Sequence, residues 1–270
     1  MAVLKLVWAA VLTLVLTGLA SGVWAGLLTL NLNTSPALPW AAVAMACVLW
    51  LAWKYADGRW WPQRTSAARH RLLRARRIDA SAFTLALVAG GLSLVALAGV
   101  WILSFQSGLM RGNALPDFSQ YPLQSVVAVL VMAAVVGGVT EEAGFRGYFQ
   151  SLLERSYPAW VSIVVTALLL APGHAATQGF AWPTFVFYLL VDAMLGTTAY
   201  LCNSILPGIV VHAAGLAMFF ALIWPNDAQR TVGAAALDDH WFWLHAAQVV
   251  VFAALAMAAY RRLAAAMPRR

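Results

Sequence analysis

The chain has 270 residues, 63% of them hydrophobic and 10% charged, with a mean hydropathy of +0.78. A soluble domain carries about a quarter charged residues, so a water-solvated globule is excluded and lipid is the expected solvent. The 17 Lys and Arg against 10 Asp and Glu give a net charge of +7. That excess is clustered beside apolar runs, which excludes a folded basic face for nucleic acid.

An α-helix needs about 20 apolar residues to cross the hydrocarbon core, with roughly 17 to 25 tolerated. Eight segments are read as spans on that rule: Leu6–Leu28, Leu38–Ala56, Ala82–Leu103, Leu123–Val139, Ala159–Pro172, Thr184–Leu201, Ile205–Ile223 and Trp241–Tyr260. The first follows Lys5 as a signal peptide would, but its apolar run is too long for one and reads as an uncleaved helix. From Lys54, at the end of the second span, to Arg77, before the third, lie eight Lys and Arg. They read either as a topology-setting charge cluster or, over Arg69–Arg77, as a short interfacial helix above anionic lipid. Tryptophans near span ends, Trp8, Trp24, Trp40, Trp60, Trp61, Trp224, Trp241 and Trp243, fit interfacial belts. Cys47 and Cys202 have no metal-ligand spacing and read as small apolar side chains.

No segment alternates with the period of two that a barrel strand needs. The expected fold is therefore all-α: a polytopic membrane protein of about eight transmembrane helices around an intramembrane polar site. A single transmembrane domain covers 1–270. Its parts are the flanking spans and basic cytoplasmic loop (1–122), a helical core (123–223), and a final span with a basic tail (224–270). An even number of spans puts both termini on one side, together with the Lys54–Asp79 loop and the tail arginines Arg261, Arg262, Arg269 and Arg270. That side is expected to be the cytoplasm, because the opposite loops hold only Arg111 and Arg230 as bases.

Ionisable residues inside spans are costly and so are candidates for function. The fourth span runs into Thr140-Glu141-Glu142-Ala143-Gly144-Phe145-Arg146. On a helix Glu142 and Arg146 are four apart and share a face, while Glu141 points about 100° away and stays available. The first strong break after this stretch is Ser156-Tyr157-Pro158. If the helix runs on to that break, Glu141 and His174 come level on the two arms of a hairpin, at about 24 Å from its turn. A carboxylate beside an imidazole is a general-base arrangement. His212 lies inside the seventh span, after Asn203-Ser204-Ile205-Leu206-Pro207, and reads either as helix-packing glue or as a third catalytic group. Asp192, in the middle of the sixth span, needs a partner such as Arg146 or a histidine.

Glu-Glu-x-x-x-Arg, a histidine ending the next helix, then Ser-Ile-Leu-Pro followed by a histidine, resembles the CPBP family of membrane proteins. That family contains type II CAAX prenyl endopeptidases and bacteriocin-processing and abortive-infection-like proteins. The resemblance covers roughly Gly137 to Gly215. It implies that Glu141 is the water-activating glutamate, Glu142 its companion, Arg146 the motif arginine, and His174 and His212 the second- and third-motif histidines. The chain departs from the pattern at Leu170, where Phe is common, and at Leu216, where Asn or Asp is common. The second departure removes a polar group that the resemblance assigns to oxyanion stabilisation, so His212, Asn203 or Ser204 would have to serve instead.

The expected activity is an intramembrane peptidase. Its catalytic residues are Glu141, His174, His212 and Glu142, its supporting residues Arg146 and Asp192, and its partners a peptide or protein substrate and the bilayer of a bacterial inner membrane. No cofactor is needed if Glu141 activates the water. The alternative is zinc held by Glu141, His174 and His212 with one open position. Two other classes stay open: a non-catalytic immunity or scaffold protein, favoured by Leu216, and a transporter or proton relay.

Overall fold

The computed structural model describes residues 2–110, 118–178 and 181–267, with side chains throughout except at residues 2, 3 and 175–178. Arg111, Arg269 and Arg270, which entered the charge count of the loops, lie outside the described residues. All eight predicted spans are helical, and no strand occurs among the described residues. The long helices are α1 (Ala2–Thr34), α2 (Trp40–Ala56), α4 (Ala80–Gln106), α5 (Leu123–Glu141), α7 (Ala159–Gln178), α8 (Trp182–Cys202), α9 (Leu206–Met218) and α10 (His240–Ala266). Two short helices complete the set, α3 (Ser66–Leu73) and α6 (Gln150–Leu153). Six helical segments are long and apolar enough to cross a membrane; Trp40–Ala56 and Ala159–His174 are apolar but shorter.

The fourth span is longer than its apolar run. After α5 the chain continues through a π-helical stretch, Glu142–Phe149, and then α6, giving one helical segment from Leu123 to Leu153. Turn residues follow, and α7 starts at Ala159, directly after Pro158, so the hairpin at Ser156-Tyr157-Pro158 is present. The seventh span likewise ends in a π-helical turn, Phe219–Ile223, followed by a 3-10 turn, Trp224–Gln229. Helix α4 lies near the centre, packed along α10 and crossed by α8 and α9. In lipid the helices gain little from burying apolar surface, so they associate through close contact at small residues. At Gly138 of α5 a methyl group would stand 3.0 Å from the Ala213 nitrogen and 3.1 Å from the Ile209 carbonyl of α9. A glycine there lets the two helices that carry the site touch backbone to backbone.

The tryptophans divide. Trp8, Trp60, Trp61, Trp241 and Trp243 are exposed, as anchors at an interface would be. Trp24 and Trp224 instead are buried, Trp24 against Ala41 and Met45 of α2 and Trp224 in an aromatic cluster with Trp101, Phe187 and Phe219. Trp101 is 1% exposed and is edge-on to Phe187 and Phe219, with ring centroids 5.1 and 5.8 Å away. Its indole N–H donates to buried Asp227 at 3.0 Å.

The basic loop is a folded element. It contains α3 at Ser66–Leu73, and Arg69 donates to the carbonyls of Tyr55, Trp60 and Pro62. Asp79 caps α4; the side chain and backbone N–H of Ser81 donate to it and hold its carboxyl below the usual carboxylate range. Arg74 departs most from a charge cluster of solvated side chains, being only 2% exposed. It donates to Glu154 at 3.1 Å, to the Ala199 carbonyl at 3.0 Å and to the Arg146 carbonyl at 3.4 Å. The Arg74 carbonyl accepts from Ile205 N–H at 3.1 Å, and the Arg76 carbonyl accepts from the Ser204 hydroxyl at 2.7 Å. The segment Leu72–Arg76 is thus a strap that ties the π-helical stretch to the turn between α8 and α9.

Candidate active site

Four polar residues recur every fourth position along the fourth helical segment: Glu142, Arg146, Gln150 and Glu154. The first three are fully buried. Arg146 stands between two carboxylates, Glu142 on its own segment at 3.3 Å and Asp192 of α8 at 2.5 Å. It donates to Asp192, whereas its contact with Glu142 is an ion pair without an aligned hydrogen bond. This supplies the partner that a mid-span carboxylate at Asp192 requires. Removing one member of such a group leaves a charge stranded in a dry setting, at a cost of about 3–5 kcal/mol. Further along the stripe, Gln150 donates to Glu154 at 2.8 Å and to the Gly196 carbonyl at 2.9 Å, which extends the network to the strap.

Glu142 has two further neighbours. Its Oε1 is 3.1 Å from Nδ1 of His212. Its Oε2 packs against Gly208 so closely that a methyl group there would lie 2.6 Å away. Gly208 is in the first turn of α9, where the positive end of the helix dipole favours a carboxylate. Glu142 is therefore committed to structure on three sides. If Glu142 is the acceptor in this contact, Nδ1 of His212 is the donor, and Nε2 is the nitrogen left for other partners.

That Nε2 faces Glu141, whose Oε2 is 3.7 Å away. His212 thus sits between the two glutamates. The Glu141 side chain is 17% exposed against 0% for Glu142, and its Oε2 has no hydrogen-bond partner among the described residues. Oε2 of Glu142 also lacks a hydrogen-bond partner among the described residues, so the two carboxylates differ in burial and in the Oε1 contacts of Glu142 rather than in a spare oxygen.

The sequence reasoning paired Glu141 with His174. His212 lies against Glu141, and His174 is stacked on Tyr188 of α8 with ring centroids 3.9 Å apart and planes 14° from parallel. Both histidines, with Asp192 and Leu216, line one cavity of about 50 Å³. A water occupies at least about 10–15 Å³ on this scale, so the space accommodates a few. Most of its remaining wall is apolar, including Leu97, Phe187, Phe219 and Trp224. Leu216 lies close to Gly137, one turn before Glu141. Neither Asn203 nor Ser204 is among the residues that line the cavity. Asn203 takes a left-handed conformation at the end of α8, and Ser204 is spent on the strap and on Leu206 N–H. They therefore do not replace the polar group absent at Leu216.

Among the described residues no three His, Cys, Asp or Glu side chains are grouped as ligands of one metal ion would be. The residues that sequence reasoning missed are Arg74, Gln150, Glu154 and Tyr188. The four-residue spacing of the Glu142–Glu154 stripe was the available signal for Gln150 and Glu154.

No curated protein and no solved structure matches the chain. Residues 123–218 match the family model described as type II CAAX prenyl endopeptidase Rce1-like. The matched segment begins at the first residue of α5 and ends at the last of α9, and so encloses both glutamates, both histidines, Arg146 and Asp192. Over this core, about a third of the chain, the protein is similar to the type II CAAX prenyl endopeptidase Rce1-like family.

Proposed function

We propose that this protein is an intramembrane endopeptidase in which Glu141 activates water against a peptide bond of a membrane-associated or leader-bearing substrate. The observation that carries the reading is the inequality of the two glutamates. Glu142 is fully buried and held through Oε1 by Arg146 and His212, whereas Glu141 is 17% exposed and lies beside the other nitrogen of His212. The match of residues 123–218 to a peptidase family supports the same reading.

The chemistry follows from these positions. Glu141 takes a proton from a water, and the hydroxide adds to the scissile carbonyl carbon. The proton passes between Glu141 and Nε2 of His212, and the imidazolium, held by Glu142, donates to the developing oxyanion. His174, on the wall of the same cavity, helps to hold the water. The proton then moves to the amide nitrogen as the C–N bond breaks, leaving a carboxylic acid and an amine, and the acid's proton passes to the amine to give a carboxylate and an ammonium. Each step uses only side chains of this chain, so no metal is required. We place the basic loop and both termini in the cytoplasm, on the bias of Lys and Arg toward that side.

One observation favours a non-catalytic member of the same family: Leu216 presents an apolar wall where the resemblance implies a polar group. The deciding experiment is Glu141→Gln in cells, with a reporter fused to membrane proteins of the same strain as substrates. The peptidase reading expects processing to stop while the protein accumulates normally. Processing, or a phenotype, that survives Glu141→Gln intact would remove it and leave the scaffold reading.

A further inference from the structure

Neither Glu141 nor Glu142 is among the residues that line the cavity at the candidate site; it reaches them only through His212. It is lined by His212 and Asp192 at one end and by Phe187, Phe219 and Trp224 at the other. Trp224 lies twelve residues beyond His212 on the seventh helical segment, on the order of 18 Å along the axis at about 1.5 Å per residue. Helix α9 starts next to the strap of the basic loop, so Trp224 is at the opposite side of the molecule. The same direction holds on α8, which ends at Cys202 beside the strap and carries Asp192, Tyr188 and Phe187 progressively further from it.

The basic side is closed. Leu73, Arg74, Gln150, Ser204 and Ile205 are all buried between the site and that face. They are held by the hydrogen bonds of Arg74, Arg76 and Gln150 to the fourth helical segment and its end, to α8 and to the turn before α9. Opening a path there would strand the Arg74 guanidinium and Glu154, as well as several carbonyls. At the other end the wall is mostly rings in van der Waals contact, which slide without breaking ion pairs. The indole N–H of Trp224, buried at that end, has no hydrogen-bond partner among the described residues; buried indoles usually find one.

We propose that water and substrate reach Glu141 and His212 from the membrane face opposite the basic loop, along the cavity that ends at Trp224. The substrate class is then a peptide segment presented at that face, and its backbone carbonyls are acceptors for the Trp224 N–H as it passes. With the basic loop in the cytoplasm, the substrates are extracytoplasmic segments. The proposal concerns access and uses only the geometry of the site, so its failure leaves the peptidase reading standing.

The test is cysteine accessibility in sealed membranes. In a Cys47→Ala, Cys202→Ala background, Leu216→Cys and, separately, Val191→Cys place a thiol on the cavity wall. Arg64→Cys places one in the exposed part of the basic loop. A cationic, membrane-impermeant methanethiosulfonate is applied to right-side-out and to inside-out vesicles. The expected result is that the cavity thiols react in the preparation where Arg64→Cys is protected, and are spared where it reacts. Cavity thiols that react from the same side as Arg64→Cys would overturn the proposal. So would a failure of both to react from either side in protein that labels fully once unfolded.

Discussion

Nδ1 of His212 lies 3.1 Å from Glu142, and Nε2 of the same ring lies 3.7 Å from Glu141. One imidazole therefore touches two adjacent carboxylates, and its two nitrogens face different tasks. Glu142→Gln removes the charge that faces Arg146 and leaves only a neutral acceptor for the His212 ring. It should lower thermal stability in detergent by an amount on the order of 3 kcal/mol. Glu141→Gln, at the less buried carboxylate, should leave the melting temperature nearly unchanged and remove about 10²–10⁴ in rate. Equal melting temperatures for the two variants would contradict the division of roles.

Arg146 and Asp192 form the closest charged contact in the core, at 2.5 Å. Arg146→Gln and Asp192→Asn should each destabilise, but the double variant should cost less than their sum, since the second change removes a charge already stranded. Unfolding followed by intrinsic tryptophan fluorescence is suitable. Additive losses would mean that the pair does not act as a unit.

Arg74 makes the corresponding case at the strap. Arg74→Ala leaves the Ala199 carbonyl without its donor and Glu154 without its cation. It should cost roughly 1.5–3 kcal/mol, as hydrogen bonds to charged groups do. Arg71→Ala, an exposed neighbour in the same loop, should stay within about 0.5 kcal/mol of the parent. A solvated charge cluster would give the two variants the same melting temperature.

Leu216→Asn puts a donor on the cavity wall next to His212. An added donor to the oxyanion should raise kcat, by up to about 10²–10³ if its geometry is good. If processing stays undetectable in both the parent and this variant, the non-catalytic reading is favoured.

Chelation addresses the metal question directly. With Glu141 as the base and no three-ligand cluster among the described residues, o-phenanthroline and EDTA should leave the rate unchanged. Loss of activity restored by added zinc would show that the histidines regroup around a metal in the working state.

Most of the architecture was legible because lipid imposes a crude code: long apolar stretches form helices, and charges stay out unless they have partners. The hairpin at Tyr157-Pro158 and the partnership of Asp192 with Arg146 followed from that code. So would the stripe Glu142, Arg146, Gln150, Glu154, had its four-residue spacing been followed past Arg146. The position of His212 between the two glutamates was not legible. It depends on how closely α9 approaches α5 at Gly138 and Gly208, and such an approach leaves no local pattern beyond two glycines among many. Arg74 was misleading for a related reason. In sequence it is one arginine among eight Lys and Arg, and only the fold reveals that a single one of them turns inward to the helix ends.

The π-helical stretch Glu142–Phe149 has a further consequence. A π turn holds one more residue than an α turn and is tolerated where it serves a function. Here it sets the rotational phase between Glu141 upstream and Gln150 and Glu154 downstream. Deleting any one residue from Ala143 to Tyr148 would let the segment relax into a plain α-helix. The residue removed is the one the wider turn accommodates, so the helix on either side keeps its phase. Deleting a residue from the regular helix between Glu142 and the start of α5 would instead turn one side by about 100° relative to the other. Loss of a small residue such as Ala143 should therefore be better tolerated than loss of one from α5.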